Sequence, residues 1–146
     1  MPAFLKIRST GGVLRIIDAN INRAREGLRV CEEVTRFIIE SPGLTRGFKG
    51  ARHAFKLTSQ KLLSIKELLE KRNSVGDIGR VIYGDELKRK NYQDIFYANI
   101  GRAKESIRVL EEFAKLKNKN TAVAFKKIRY RIYELEKKTA RIIGPS

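Results

Sequence analysis

One cysteine, one histidine, three prolines and no tryptophan occur in this chain of 146 residues. Cys31 alone can form no intramolecular disulfide and builds no cysteine-cluster zinc or iron–sulfur centre, and the lone His53 leaves no second imidazole for a metal site. The longest apolar runs are about the length of Val13 to Ile17, itself broken by Arg15, so neither a membrane span nor a signal-peptide core follows Met1. A cytoplasmic location is the resulting expectation. Three prolines and eleven glycines, beside 42% hydrophobic and 33% charged residues, exclude collagen-like, mucin-like and low-complexity classes. What remains is a globular composition, read as a single domain over 1–146, long enough to bury roughly 70% of its unfolded surface.

Charge of one sign is abundant: 32 Lys and Arg face 16 Asp and Glu, a net +16, which predicts affinity for polyanions, phosphates or anionic surfaces. Each half of the sequence, divided after Asn73, carries +8. No basic tail concentrates it, and that evenness favours small phosphorylated ligands, or a generally Lys-rich surface such as that of a heat-adapted protein, over a nucleic-acid arm or a membrane anchor.

The apolar residues recur with helical period almost throughout, and no stretch alternates long enough for a strand. The expectation is an all-α helical bundle. Thr10-Gly11-Gly12 reads as a breaker before a helix of about 13–39, which Ser41-Pro42-Gly43 ends. A second helix follows at about 44–63, and the capping-box spacing of Ser64 and Glu67 starts a short third one through about residue 71. Residues 72–90, with three glycines, read as the long loop. Asn91 caps a helix of about 92–116, and 118–120 separates it from a last helix of about 121–143. Connections of this length join antiparallel neighbours.

The sequence also repeats. Asp18–Phe37 over Tyr97–Leu116, at a constant offset of 79, gives ten identities in twenty positions. Phe48–His53 over Phe125–Tyr130 agrees at an offset of 77. The unit is a long helical hairpin used twice, over about 13–71 and 91–143, and two facing copies would place matching side chains about a pseudo-twofold axis.

At roughly 100° per residue, Ala24, Leu28, Cys31, Thr35 and Ile38 share one side of the first helix, widened by Val30, Val34 and Phe37. Asn20 and Arg23 fall inside that apolar sector, with Gly27 a turn later; Asn99, Arg102 and Ser106 occupy the same places in the second copy. A buried guanidinium must meet a carboxylate, carbonyls or an anion. A phosphate site between the hairpins and a polar network fixing the helix crossing both satisfy that need. Glu32 with Arg36, Glu111 with Lys115, Arg29 with Glu33 and Arg108 with Glu112 read as surface pairs at i, i+4. Lys49, Arg52, Lys126 and Arg129 either reach the same centre or solvate a face. Cys31 reads as core, His53 as interface or surface, and Tyr130 and Tyr133 as packing aromatics or a platform for a flat base.

Asn73-Ser74-Val75-Gly76-Asp77-Ile78-Gly79 reads either as a plain turn or as a loop whose backbone N–H groups approach a phosphate while Asp77 holds Mg²⁺. No P-loop or dinucleotide-binding glycine string is present, which excludes those two nucleotide sites.

Arg15 through Val30, RIIDANINRAREGLRV, resembles the R-I-L-D-A-N-L-x-R-A-x-E-G-L-R-V signature of one thiamin-biosynthesis family. Arg72–Gly79 is similar to its R-D-x-x-G-D-x-G, Ala98–Glu112 to its A-N-x-x-R-x-x-E-A-L-R-V-L-E-E, and Arg129–Glu136 to its L-R-Y-R-V-Y-x-L-E, in order along nearly the whole chain. That family is the monofunctional hydroxymethylpyrimidine-phosphate kinase, distinct from the ribokinase-like enzyme and also found ahead of thiamine-phosphate synthase. The resemblance implies ATP-dependent phosphorylation of 4-amino-5-hydroxymethyl-2-methylpyrimidine phosphate to the diphosphate. Asn73 stands where the family has Asp, and Ser106-Ile107 where it has Ala-Leu. On this reading Arg23, Arg102 and Arg72 hold phosphates with help from Lys49, Arg52 and Arg129. Asn20, Asn99 and Tyr130 orient the ligands, and Asp77 is the Mg²⁺ candidate with Glu111 and Glu32 in reserve. A separate thiamine-phosphate synthase is the implied partner.

Two competing readings are a basic nucleic-acid-binding module, whose affinity would fall steeply with salt, and a non-catalytic assembly domain that forms a homodimer through its repeat faces.

Overall fold

Three short polar side chains start three of the helices. Ser41 accepts from the Leu44 amide at 3.2 Å, Asn91 from Asp94 at 2.9 Å, and Asn118 from Asn120 at 2.9 Å, each satisfying an amide the helix itself leaves unpaired. The computed structural model describes residues 3–62 and 87–146. It contains α1 (Ala3–Glu33), a π-helical turn (Val34–Ile38), α2 (Pro42–Gln60), α3 (Tyr92–Ala114) and α4 (Lys119–Ile143), with no strand among the described residues. The protein is all-α. The short helix expected at 64–71 and the loop expected at 72–86 lie outside the described residues.

Two boundaries differ from expectation. α1 runs straight through Gly11-Gly12, because glycine weakens a helix by about 1 kcal/mol without forbidding it. Pro42 begins α2 rather than lying ahead of it, since proline at the first helical position loses no hydrogen bond. Between α1 and α2 the chain widens into a π turn, with Ile39 N–H donating to the Val34 carbonyl at 3.0 Å and Ser41 N–H to Thr35 at 2.9 Å. The extra residue in that turn shifts everything after it, so Phe37 and Ile38, expected on the apolar face, stand 62% and 50% exposed. The change of direction is completed by Glu40, a non-glycine residue at φ 56°, in the left-handed region.

Contacts run in a ring. α1 packs most extensively on α3, α3 on α4, α4 on α2 and α2 on α1. The direction of each pair follows from particular contacts. Gly27 abuts Asn99 and Ala103, while Cys31, further along α1, approaches Phe96, earlier in α3. Gly47 faces Leu135 and Phe55 stacks on Phe125. Ring neighbours are therefore antiparallel, and the end of α2 lies at the opposite pole from the start of α3. Phe48, Phe55, Phe96 and Phe125 are all buried at the centre, with Phe48 edge-on to Phe96 at 6.1 Å. The bundle thus divides into an α1/α3 layer and an α2/α4 layer.

Candidate functional site

The α1/α3 crossing is built from small residues. Ala24 and Ala103 are fully buried, and a Cβ on Gly27 would lie 2.7 Å from the Asn99 carbonyl oxygen, so only glycine permits this approach. Around the crossing the two asparagines behave alike: Asn20 Nδ2 donates to the Ile16 carbonyl and Asn99 Nδ2 to Ile95, both at 2.8 Å. Asn20 is buried and Asn99 half-buried, and each keeps its Oδ1 unpartnered among the described residues.

Arg23 and Arg102 depart from the interior placement expected of them. Each precedes the crossing alanine by one helical step of about 100°, at the margin of the apolar sector, where a long side chain carries its guanidinium out to water. Both are exposed, and among the described residues neither has a hydrogen-bond or ion-pair partner. Lys49 is likewise exposed.

Glu32 and Glu111 depart in the opposite direction. Expected on the wet face, they are only 6% and 4% exposed. Arg52 Nε and Nη2 donate to the two oxygens of Glu32 at 2.9 and 3.4 Å; Arg129 Nε and Arg108 Nη1 each donate to an oxygen of Glu111 at 3.0 Å. The two Glu–Arg pairs stand at positions related by the sequence offsets of 79 and 77. Arg52 and Arg129 are therefore committed to carboxylates, and the Glu111 carboxylate holds the Arg129 guanidinium above its ordinary value. The expected partners of the glutamates are elsewhere: Lys115 pairs with Glu112 at 2.8 Å, and Arg36 lies over the Phe37 ring at 4.8 Å. Arg29–Glu33 and Arg108–Glu112 form as expected, at 3.2 and 3.0 Å.

With both oxygens of each carboxylate engaged by guanidinium groups, Glu32 and Glu111 do not fit Mg²⁺. No group of three or more His, Cys, Asp or Glu among the described residues stands ready for a metal. Asp77 and Arg72 lie outside the described residues. Cys31 is core, its Sγ 3.8 Å from the Phe96 carbonyl, and burial pushes the thiol up. His53 is exposed.

Beside the crossing, an open cleft of about 460 Å³ lies between α3 and α4, lined by Gly101, Lys104, Glu105, Arg108, Arg129 and Tyr133. Lys104 Nζ bonds Glu136 at 2.7 Å and sits 4.8 Å above the Tyr133 ring. Tyr130 packs at 6.1 Å from Tyr133, with the Arg129 guanidinium 5.2 Å from its own ring. The aromatic wall suits a planar group, while the three cations of the lining are each paired with a carboxylate, Lys104 with Glu136 and Arg108 and Arg129 with Glu111, and Glu105 adds a further negative charge. Of the lining residues the sequence reading selected Arg129 for the site and held Tyr133 open as a platform; Lys104 and Glu105 were missed. Their signal is the 101, 104/105, 108 spacing on the wet face of α3.

Comparison with known proteins gives a consistent assignment. Residues 15–138 match the model of the ThiD2 family. Among the relatives, a protein named thiamine-phosphate synthase from Synechocystis sp. is 37% identical over 129 residues, covering 88% of this chain and 36% of that protein. Proteins of the same name from Gloeobacter violaceus and Rhodopirellula baltica are 41% identical over 128 residues and 36% identical over 133, covering 85% and 88% of this chain and 35% of each relative. The chain spans about a third of the length of these relatives. No solved structure matches it. With the family model spanning 15–138, well over half of the sequence, this chain belongs to the ThiD2 family.

Proposed function

We propose that this chain acts in thiamin biosynthesis in the cytoplasm as an ATP-dependent kinase. It converts 4-amino-5-hydroxymethyl-2-methylpyrimidine phosphate to the diphosphate and works beside a thiamine-phosphate synthase activity. The observation that carries this reading is the pair of exposed, uncommitted guanidinium groups, Arg23 and Arg102, each next to a crossing alanine and close in sequence to an asparagine with a spare acceptor. The same reading takes the two hairpins as copies of one unit.

In the proposed reaction an oxygen of the acceptor phosphate forms the new bond to the γ-phosphorus of ATP, the bond from that phosphorus to the β-bridging oxygen breaks, and ADP leaves. The attacking group is already an anion, so no strong general base is required. The chain has to neutralise charge and align the two phosphates. Arg23 and Arg102 supply mobile charge, with Lys49 and Arg72 as further donors; Arg52 and Arg129 act through the carboxylates that fix them. Asn20 and Asn99 offer Oδ1 to an amino group or a hydroxyl, and the Tyr133 and Tyr130 rings offer a face to a flat ring. Mg²⁺ accompanies ATP, and no step is assigned to a protein-held ion.

Incubating the protein with ATP, Mg²⁺ and the pyrimidine monophosphate, with the unphosphorylated alcohol in parallel, and weighing the products by mass spectrometry tests the proposal. Diphosphate from the monophosphate is the expected product. No turnover with intact helicity would favour a non-catalytic assembly module, a reading the exposed Phe37, Ile38 and Ile142 at one pole also accommodate.

A further inference from the structure

Evenly spread along the sequence, the positive charge is unevenly spread in space. α1 and α3 together carry nine Lys and Arg against eight Asp and Glu, a net +1. α2 and α4 carry twelve Lys and Arg against two glutamates, a net +10, and α2 contains no acidic residue at all. The helix pairing found above puts these twelve cations in one layer. Arg46, Lys49, Lys56, Lys126, Lys127, Arg131, Lys137, Lys138 and Arg141 are all exposed, and Glu134 is the one exposed carboxylate of that layer.

Local geometry makes the charge continuous. Gly47 and Gly50 let α4 lie close against α2, and the Arg131 guanidinium rests on the bare backbone of Gly50, where an added Cβ would meet its Nη2 at 2.5 Å. Cations at i, i+3 and i+4 recur every 4.5–6 Å along a helix at about 1.5 Å per residue, a spacing comparable to that of consecutive phosphates in a nucleic-acid strand. Tyr130, 54% exposed with Lys126 and Arg129 at 6.0 and 5.2 Å from its ring, adds an aromatic face within the same layer. Exposed lysine is depleted at the centre of protein–protein interfaces, whereas backbone phosphates take lysine and arginine alike.

We infer that the α2/α4 layer is a binding face for the phosphate backbone of single-stranded nucleic acid, a role beyond the kinase reading, with which it shares Lys49 and Tyr130 while most of its cations lie away from the α1/α3 crossing. Binding is sequence-tolerant, set by charge with a base stacked on Tyr130.

Fluorescence anisotropy of a labelled 20-nucleotide single-stranded RNA, read from 50 to 200 mM salt, tests the inference. If about five phosphates are engaged, affinity falls by about a hundredfold over that range. The triple variant Arg46→Ala, Lys127→Ala, Lys138→Ala lowers the slope of log affinity against log salt by about 2. A charge-matched variant outside the layer, Lys90→Ala, Lys115→Ala, Lys117→Ala, leaves the slope near that of the wild type, with circular dichroism confirming that all three proteins are folded. Three results overturn the inference: no binding at 50 mM salt and micromolar protein; equal weakening by both triple variants; or tighter binding of polyglutamate than of RNA at equal chain charge, which would assign the face to an acidic protein.

Discussion

In the α1/α3 layer two helices meet through Ala24, Gly27 and Ala103, and the space that a Cβ on Gly27 would need is filled by the Asn99 carbonyl. In the α2/α4 layer the nearest atoms to a Cβ on Gly47 or Gly50 belong to side chains, Leu135 and the tip of Arg131. Backbone cannot yield where a guanidinium can swing away. The first layer therefore fixes the geometry of the bundle and carries nearly balanced charge, nine basic side chains against eight acidic ones. The second tolerates change and carries +10 of the net +16. A close crossing is where a site with defined distances can be built, and a soft, cationic layer is where a flexible polyanion can lie.

Breaking the crossing gives the largest effect. Gly27→Val forces α1 and α3 apart and costs about 3 kcal/mol, lowering the melting temperature by several degrees or more. Gly50→Ala is the matching change in the other layer. It keeps or raises the melting temperature, since alanine is favoured over glycine in a helix by about 1 kcal/mol. Equal losses in the two variants would erase the contrast.

The buried ion pairs come next. Glu111→Ala strands Arg129, whose side chain is 14% exposed, and costs about 3 kcal/mol. Glu32→Ala strands Arg52, 27% exposed and able to reach water, at about half that cost by urea denaturation. A reversed order would show that solvent access does not govern the two pairs.

Cys31, inside the α1/α3 contact, sharpens the same point. Its raised thiol and full burial keep it unreactive toward a thiol reagent at pH 8 until the protein unfolds. Labelling of the folded protein would show that the crossing opens. The smallest effect is at the surface. The Lys115 hydrogen bond, aided by Arg108, holds the exposed Glu112 carboxyl below its ordinary value. A lowered carboxyl pKa contributes stability above the unfolded value, lost as pH falls through the folded one. Lys115→Ala moves the Glu112 titration upward, by NMR, with little change in melting temperature.

Local chemistry was legible in the sequence and long-range geometry was not. Asn91 announced a helix start because a cap needs only its own next three residues, Asn118 read as part of a separator and caps α4 instead, and the four long helices follow from periodicity. The π turn, which moves Phe37 into solvent, has no such local signature. Glu32 and Glu111 have ordinary i, i+4 neighbours, so nothing along the chain shows that arginines twenty and eighteen residues away reach them first. Arg23 and Arg102 sit at the edge of a helical wheel, where about 100° per residue cannot separate a buried stem from an exposed head. Charge even by halves became +10 in one layer because helices adjacent in space are not adjacent in sequence.

The central claim is that the uncommitted arginines at the α1/α3 crossing hold the reacting phosphates. It is tested most directly by turnover of the pyrimidine monophosphate by Arg102→Ala beside the wild type, with the melting temperature of both recorded. Because Arg102 is exposed and pairs with no described residue, the account predicts a loss of more than about a hundredfold in rate, as expected when a charge contact to a transferring phosphoryl group is removed, at an unchanged melting temperature. Wild-type turnover by a folded Arg102→Ala protein would contradict it.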